Sequence, residues 1–161
     1  MTIEEYNKSV TQYADRLYRF VAKNVKDLHF AEDIVQDSYE KLWKNVSQVN
    51  GEKVKTYLFT TAYHTLIDRV RKEKRMFYAE TLPDRAESFA SPGYDVTERV
   101  NEAVGKLPEI QRIVITLRDY EGYSYQEIGE ITGLGESQVK VYIYRARLFL
   151  KNYIGKIDVL I

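Results

Sequence analysis

Residues 125–144, YQEIGEITGLGESQVKVYIY, constrain this chain more than any other stretch. Ser124 followed by Glu127 has the pattern of a capping box, which fixes where a first helix starts. Gly129 stands where two helices must approach closely. Gly133, four residues on, suits the left-handed conformation that ends a helix and that a side chain disfavours. Val139 then falls where a second helix buries its first apolar residue. This is the spacing of a helix-turn-helix, whose second helix is held at a steep angle to the first and can enter a DNA major groove. An ordinary helical hairpin shares the pattern.

The rest of the chain reads as helical too. Tyr6, Val10, Tyr13, Leu17 and Phe20 recur at three- and four-residue intervals, as do Ala31, Val35, Tyr39 and Leu42, with Trp43 beside them. Leu58, Ala62, Leu66 and Val70 mark a third helix, with Phe59 and Ile67 widening its stripe. Pro83, Pro92 and Gly93 then break the pattern in a stretch rich in Ser, Ala and acidic residues. Periodicity resumes at Val96, is punctuated by Pro108 at a helix start, and pauses at Gly122 before the helix-turn-helix. No segment alternates with period two. The expected fold is all-α: a helical bundle at 1–77, a flexible linker at 78–94, and a second small bundle at 95–161.

The 161 residues are 44% hydrophobic and 30% charged, a globular composition that is neither disordered nor membrane-embedded. No apolar run approaches the roughly 18 residues needed to cross a bilayer. The N-terminus lacks the apolar core of a signal peptide, and with no cysteine the chain has neither disulfides nor thiolate metal sites. A cytoplasmic protein without metal or cofactor is expected. Net charge is zero, but its distribution is uneven. Residues 51–77 hold seven Lys/Arg against three Asp/Glu, and residues 137–161 hold five against one. The intervening 78–136 hold five against twelve. Two basic segments flank an acidic block, which leaves room for two separate DNA contacts.

Enzyme chemistry finds little to work with. The two histidines, His29 and His64, belong to no HExxH pattern, and no glycine-rich phosphate loop follows a strand. His64 and Asp68 lie one helical turn apart, a spacing typical of a surface contact. The second helix is patterned on its polar face as well. Glu32, Asp33, Gln36, Asp37, Glu40 and Lys41 form a mostly acidic, amide-bearing surface, which is either a plain solvated face or a match for a basic partner. In the third helix, Tyr57, Phe59 and Tyr63 precede Arg69, Arg71, Lys72, Lys74 and Arg75. Cations neutralise phosphates and aromatic rings stack on unpaired bases, a mix suited to single-stranded or melting DNA. A basic helix end with core aromatics reads the same way. In the second helix of the helix-turn-helix, Val139, Ile143, Ala146 and Leu150 form the buried stripe. Ser137, Gln138, Lys140, Val141, Tyr144 and Arg145 then face outward, where Lys, Arg and Gln can pair with base edges and Val141 can touch a thymine methyl. Arg147 and Lys151 are better placed for phosphate.

These segments occur in a telling order: AEDIVQDSYEKLWKN at 31–45, TYLFTTAYHTLIDRVRKEKR at 56–75, LPEIQRIVITLRDYEGYSYQEIGEITG at 107–133 and ESQVKVYIYRAR at 136–147. In that order and spacing the chain resembles a bacterial RNA polymerase sigma factor of the extracytoplasmic-function type, with regions two and four only, over roughly residues 8–155. The resemblance implies that Glu32, Asp33, Gln36, Asp37 and Glu40 dock on the clamp helices of the largest polymerase subunit. It implies that the loop at 46–56 captures an unstacked minus-ten base. The minus-ten contacts it implies are Asn50, Lys53, Lys55, Tyr57, Tyr63, His64, Arg69, Arg71, Lys72 and Arg75. Ser137, Gln138, Lys140, Val141, Tyr144, Arg145 and Arg147 would read the minus-thirty-five element, in a bundle resting on the polymerase flap. An anti-sigma partner is implied as well. Two positions depart from the family: His64 stands where Asn is usual, and Tyr142 replaces a common Arg. A plain helix-turn-helix regulator with a dimerising or ligand-binding N-terminal bundle is the competing reading. The acidic second helix and the aromatic-basic third helix, which such a regulator does not need, weigh against it.

Overall fold

Short polar side chains set where the helices begin. The Thr2 hydroxyl accepts from the Glu5 amide and starts α1 (Ile3–Asn24). Asp27 Oδ1 accepts from the His29 amide at 2.9 Å and starts α2 (Leu28–Lys44). Asn50 caps a single 3₁₀ turn, Gly51–Lys53, that runs directly into α3 (Val54–Ala79). After the interruption come α4 (Val96–Gly105) and α5 (Glu109–Ile115), the latter prolonged by a π-helical turn at Thr116–Tyr120. Then follow α6 (Tyr125–Thr132) and α7 (Glu136–Val159). The computed structural model describes residues 1–79 and 96–159, with side chains at 1–75 and 96–155. Among the described residues every regular element is helical. The expected linker at 78–94 lies outside them except for Tyr78 and Ala79, which still belong to α3.

In the N-terminal half, α1, α2 and α3 pack around Leu17, Phe20, Ile34, Leu42, Leu58 and Leu66, all fully buried. In the C-terminal half, α4 to α7 enclose Ile113, Leu117, Ile128, Ile131, Val139 and Ile143. Burying each such side chain contributes about 1.5–3 kcal/mol, and the two sets join in one continuous hydrophobic cluster rather than in two separate cores. The phase of α1 differs from the sequence expectation at one position. Val10 is exposed, and Ser9 takes the buried place one residue earlier. The Tyr39 hydroxyl donates to the Ser9 carbonyl at 2.8 Å, an approach that a small residue permits and a valine side chain would crowd.

The two halves also meet. Phe59 on α3 packs on Phe20 and, with ring centroids 5.1 Å apart and edge to face, on Tyr123 of the C-terminal half. Beside this contact runs a polar seam. Arg16 donates through Nε to Glu121 Oε2 at 3.1 Å and through Nη2 to the Glu121 carbonyl at 2.9 Å. Asn24 donates to Thr116 Oγ1 at 3.1 Å and accepts from Arg112 Nε at 3.1 Å. Lys23 lies over the Tyr120 ring, and Lys74 pairs with Glu109.

Candidate nucleic-acid interface

The helix-turn-helix forms as its glycines and cap require. Ser124 and Glu127 make both bonds of a capping box, each at 3.1 Å. Gly133 takes φ +77°, and its amide donates to the Gly129 carbonyl at 2.8 Å. A Cβ on Gly129 would stand 2.9 Å from the Leu134 carbonyl oxygen, so only glycine lets the turn pass this close. The turn aims α7 outward. Val139, Ile143 and Ala146 are buried, while Ser137, Gln138, Lys140, Val141, Tyr144, Arg145 and Arg147 are all exposed.

Several of those side chains have neighbours that the sequence does not display. Gln138 Oε1 accepts from the Gly135 amide at the start of α7, leaving its amide hydrogens to donate outward. Lys140 pairs with Glu136 one turn earlier and lies near the Tyr125 ring, which the Arg118 guanidinium also approaches, 4.5 Å from its centroid. Arg147 is gripped by Asp119 from the π turn, at 2.7 Å and 3.4 Å, which pushes its pKa up. Asp119 and Arg118 were not among the expected site residues. Tyr142, in place of the family's Arg, packs half-buried against the core.

Apart from Asn50 and Lys53, which precede α3, the expected minus-ten residues divide between two faces of that helix. Tyr57, His64, Arg71 and Arg75 share one face by helical spacing, with His64, Arg71 and Arg75 exposed. At its upper end Tyr57 joins Asn45, Gln48, Val49, Asn50 and Lys53 around a concavity of about 470 Å³. The Tyr57 hydroxyl donates to the Lys41 carbonyl at 3.3 Å, and Asn45 Nδ2 donates to the same oxygen at 2.9 Å. Three amide side chains, an aromatic ring and an ammonium are the groups that read an extruded base: edges by hydrogen bonds, face by stacking, phosphate by charge. Gln48 falls within the expected 46–56 loop, whereas Asn45 escaped the sequence reading because an isolated amide at a helix end carries no periodic signal. At the lower end, Asp68, Arg71, Lys74 and Arg75 line a second open concavity of about 580 Å³.

Lys55 and Tyr63 point elsewhere. Lys55 Nζ lies 4.4 Å from the centroid of the Tyr123 ring, and Tyr63 is buried beside the Glu109 carboxylate. Both therefore face the C-terminal half. Arg69 rests over the Phe30 ring, while Lys72 is fully on the surface.

The polar face of α2 is present as expected, with Glu32, Asp33, Gln36 and Glu40 exposed. Lys41 pairs with Asp37 and Lys44 with Glu40, both at 3.1 Å, and Thr65 donates to Asp37 at 3.4 Å. Trp43 ends this face rather than joining the core, 48% exposed and edge-on to Tyr6. No group of three or more metal-ligating side chains occurs among the described residues, and no helix there is long and apolar enough to cross a membrane.

Among the described residues, a helical fold with a helix-turn-helix that leaves one face of α7 exposed, and with an amide-lined pocket beside a basic helix, has the features of the DNA-binding class. Residues 9–76 match Sigma-70 region 2, and residues 97–150 match Sigma-70 region 4. RNA polymerase sigma factor SigV of Bacillus subtilis is 32% identical over 154 residues, covering 92% of this chain and 90% of that protein. SigM, an extracytoplasmic-function sigma factor of the same organism, is 30% identical over 159 residues, covering 94% of each. The sigma factor RpoE of Bartonella quintana, solved with the anti-sigma factor NepR, shares the fold with a TM-score of 0.79 at 24% identity, over 95% of this chain and 98% of that one. The chain belongs to the sigma-70 family and is an extracytoplasmic-function RNA polymerase sigma factor, a promoter-recognising protein of transcription initiation.

Proposed function

We propose that the chain divides promoter recognition between its two halves, 1–77 and 95–161, and performs no catalysis of its own. The face of α2 carrying Glu32, Asp33, Gln36, Asp37 and Glu40, closed by Trp43, docks on the clamp helices of the largest polymerase subunit. An acidic face ending in a half-exposed tryptophan suits a basic partner, since tryptophan is enriched among residues that dominate interface energies. The pocket at Asn45, Gln48, Asn50, Lys53 and Tyr57 takes an unstacked minus-ten base. His64, Arg69, Arg71, Lys72 and Arg75 continue that path along α3, and Lys55 and Tyr63 join it once they are uncovered. The exposed side of α7, from Ser137 to Arg147, reads the minus-thirty-five duplex, and the C-terminal half rests on the polymerase flap. The protein acts in the cytoplasm and has an anti-sigma factor as a further partner, as the sigma factor RpoE of Bartonella quintana has NepR.

The single observation that supports this division is chemical. One chain carries a stacking-and-amide pocket suited to single strands and a separate helix suited to a major groove. Run-off transcription with core polymerase tests it. The chain should stimulate initiation on a cognate promoter, and a pre-melted minus-ten template should remain responsive when Lys140→Ala and Arg145→Ala abolish use of the duplex minus-thirty-five element. Equal defects on both templates would contradict the division.

A further inference from the structure

The first turn of α7 fixes the orientation of one exposed side chain before any DNA arrives. The Gly135 carbonyl accepts from the Val139 amide at 3.0 Å, the first bond of the helix, so Gly135 is the cap residue and Gln138 the third residue after it. Gln138 Oε1 accepts from the Gly135 amide at 3.1 Å, which is the returning half of a capping box. Glycine has no side chain to supply the other half. A backbone amide can only donate, so the oxygen of the Gln138 amide turns toward the helix end and its nitrogen away from it. The charged groups of this turn, Glu136 and Lys140, pair with each other. A glutamine free to turn offers a donor and an acceptor together, which is the combination that adenine matches. Held at the cap, Gln138 presents its two N–H hydrogens instead.

We propose that Gln138 is a specificity-determining residue of the minus-thirty-five contact, turned by the Gly135 amide into a one-way donor that selects guanine and rejects cytosine. The base preference rests on the reading of α7 as the helix that enters the major groove; the hold on Gln138 does not. Guanine offers two acceptors in that groove, O6 and N7, and thymine offers O4. Adenine sets its N7 acceptor beside a donor, and cytosine offers only the N4 donor. Two hydrogens on one nitrogen therefore match guanine best and meet another donor at cytosine. The cap, and not the residue type alone, carries this preference, so it can be reversed. Glutamate serves the same capping position, and Gln138→Glu keeps the bond to the Gly135 amide while turning an oxygen outward in place of the nitrogen. An outward carboxylate oxygen accepts from cytosine N4. Gln138→Ala loses the cap bond and the preference together.

The test is selection of duplex DNA by the full chain bound to core polymerase, from a library randomised across the minus-thirty-five region. Wild type, Gln138→Glu, Gln138→Ala and Arg145→Ala are compared by sequencing what each retains. Preference is read as a ratio of bases within each chain, so the added negative charge of Gln138→Glu, which weakens binding to all sequences alike, cancels. Wild type should favour guanine over cytosine at one position of one strand by about fivefold or more. Gln138→Glu should invert that ratio at the same position and leave the others as they were, and Gln138→Ala should flatten it. Amide hydrogen exchange, followed by NMR on the full chain without DNA, reads the cap separately. The Gly135 amide should exchange more slowly in wild type and Gln138→Glu than in Gln138→Ala. A wild-type preference for adenine that Gln138→Ala abolishes overturns the proposal, as does a Gln138→Glu chain that still selects guanine. So does a Gly135 amide that exchanges equally fast in all three chains. Arg145→Ala altering the selected sequences while both Gln138 variants leave them unchanged overturns the role of Gln138 and spares the reading of α7. All three variants selecting as wild type does would instead fault that reading, and the base preference would fall with it.

Discussion

Arg147 is an exposed cation on α7, yet Nε and Nη2 of its guanidinium are taken up by Asp119. Spacing along α7 places Arg147 for phosphate, and nothing local betrays a carboxylate 28 positions earlier in the chain. The ion pair is 41–49% exposed, so its contribution to folding is about 1 kcal/mol or less. With Arg147 as the proposed phosphate contact, its effect on binding should be larger, because a paired cation releases fewer counterions than a free one. Asp119→Asn should therefore leave the melting temperature nearly unchanged and tighten binding to duplex minus-thirty-five DNA. The slope of log affinity against log salt should steepen by about one counterion. An unchanged salt slope would mean that Arg147 never reaches phosphate and serves only to tie α7 to the π turn.

At the scale of the element, the helix-turn-helix was the most legible part of the chain because its determinants are local. A cap, two glycines and one apolar period fix it, and each is a statement about residues within a turn or two. The same locality gives it a pH dependence. The backbone amide of Ser124 that Glu127 accepts holds the Glu127 carboxyl below its usual value of 4.5. A carboxyl depressed in the folded state stabilises fully above its unfolded pKa and loses that contribution as pH falls through the folded one. Thermal midpoints should therefore fall between about pH 5 and pH 3 in the wild type, and Glu127→Gln, which keeps an acceptor oxygen, should flatten this part of the profile. A profile of unchanged shape would assign the acid sensitivity to other carboxylates. Boundaries and phases were less legible. The third helix was expected from Tyr57 and begins at Val54, because the Asn50 cap feeds its 3₁₀ turn straight into the helix. On the first helix Val10 alone leaves the expected stripe, because Tyr39 comes in at Ser9 beside it, a choice made by another helix.

On the scale of the whole molecule, little of the packing could be read from the chain. Arg16 and Glu121 are 105 residues apart, and Asn24 and Thr116 are 92 apart. A partial signal was there, since Asn24 continues the Leu17–Phe20 stripe of α1 as a polar residue in an apolar register. A buried amide needs a partner, and the partner lies in the other half. Phe59 is the apolar counterpart, touching Phe20 on one side and Tyr123 on the other. Phe59→Ala should cost about 3–5 kcal/mol, and the loss should be shared. Hydrogen exchange should quicken in both α1 and α6, whereas protection lost in α1 alone would show that the halves are energetically separate.

The carbonyl of Lys41 gathers the Asn45 side chain and the Tyr57 hydroxyl at the end of α2. The wall of the amide pocket is therefore bolted to the tip of the helix whose outer face carries Glu32, Gln36, Glu40 and Trp43. Whatever grips that face and tilts the helix by a fraction of its width also changes the pocket's shape. With α2 as the proposed docking face, polymerase binding and the shape of the base pocket should be coupled through one oxygen atom shared by two side chains.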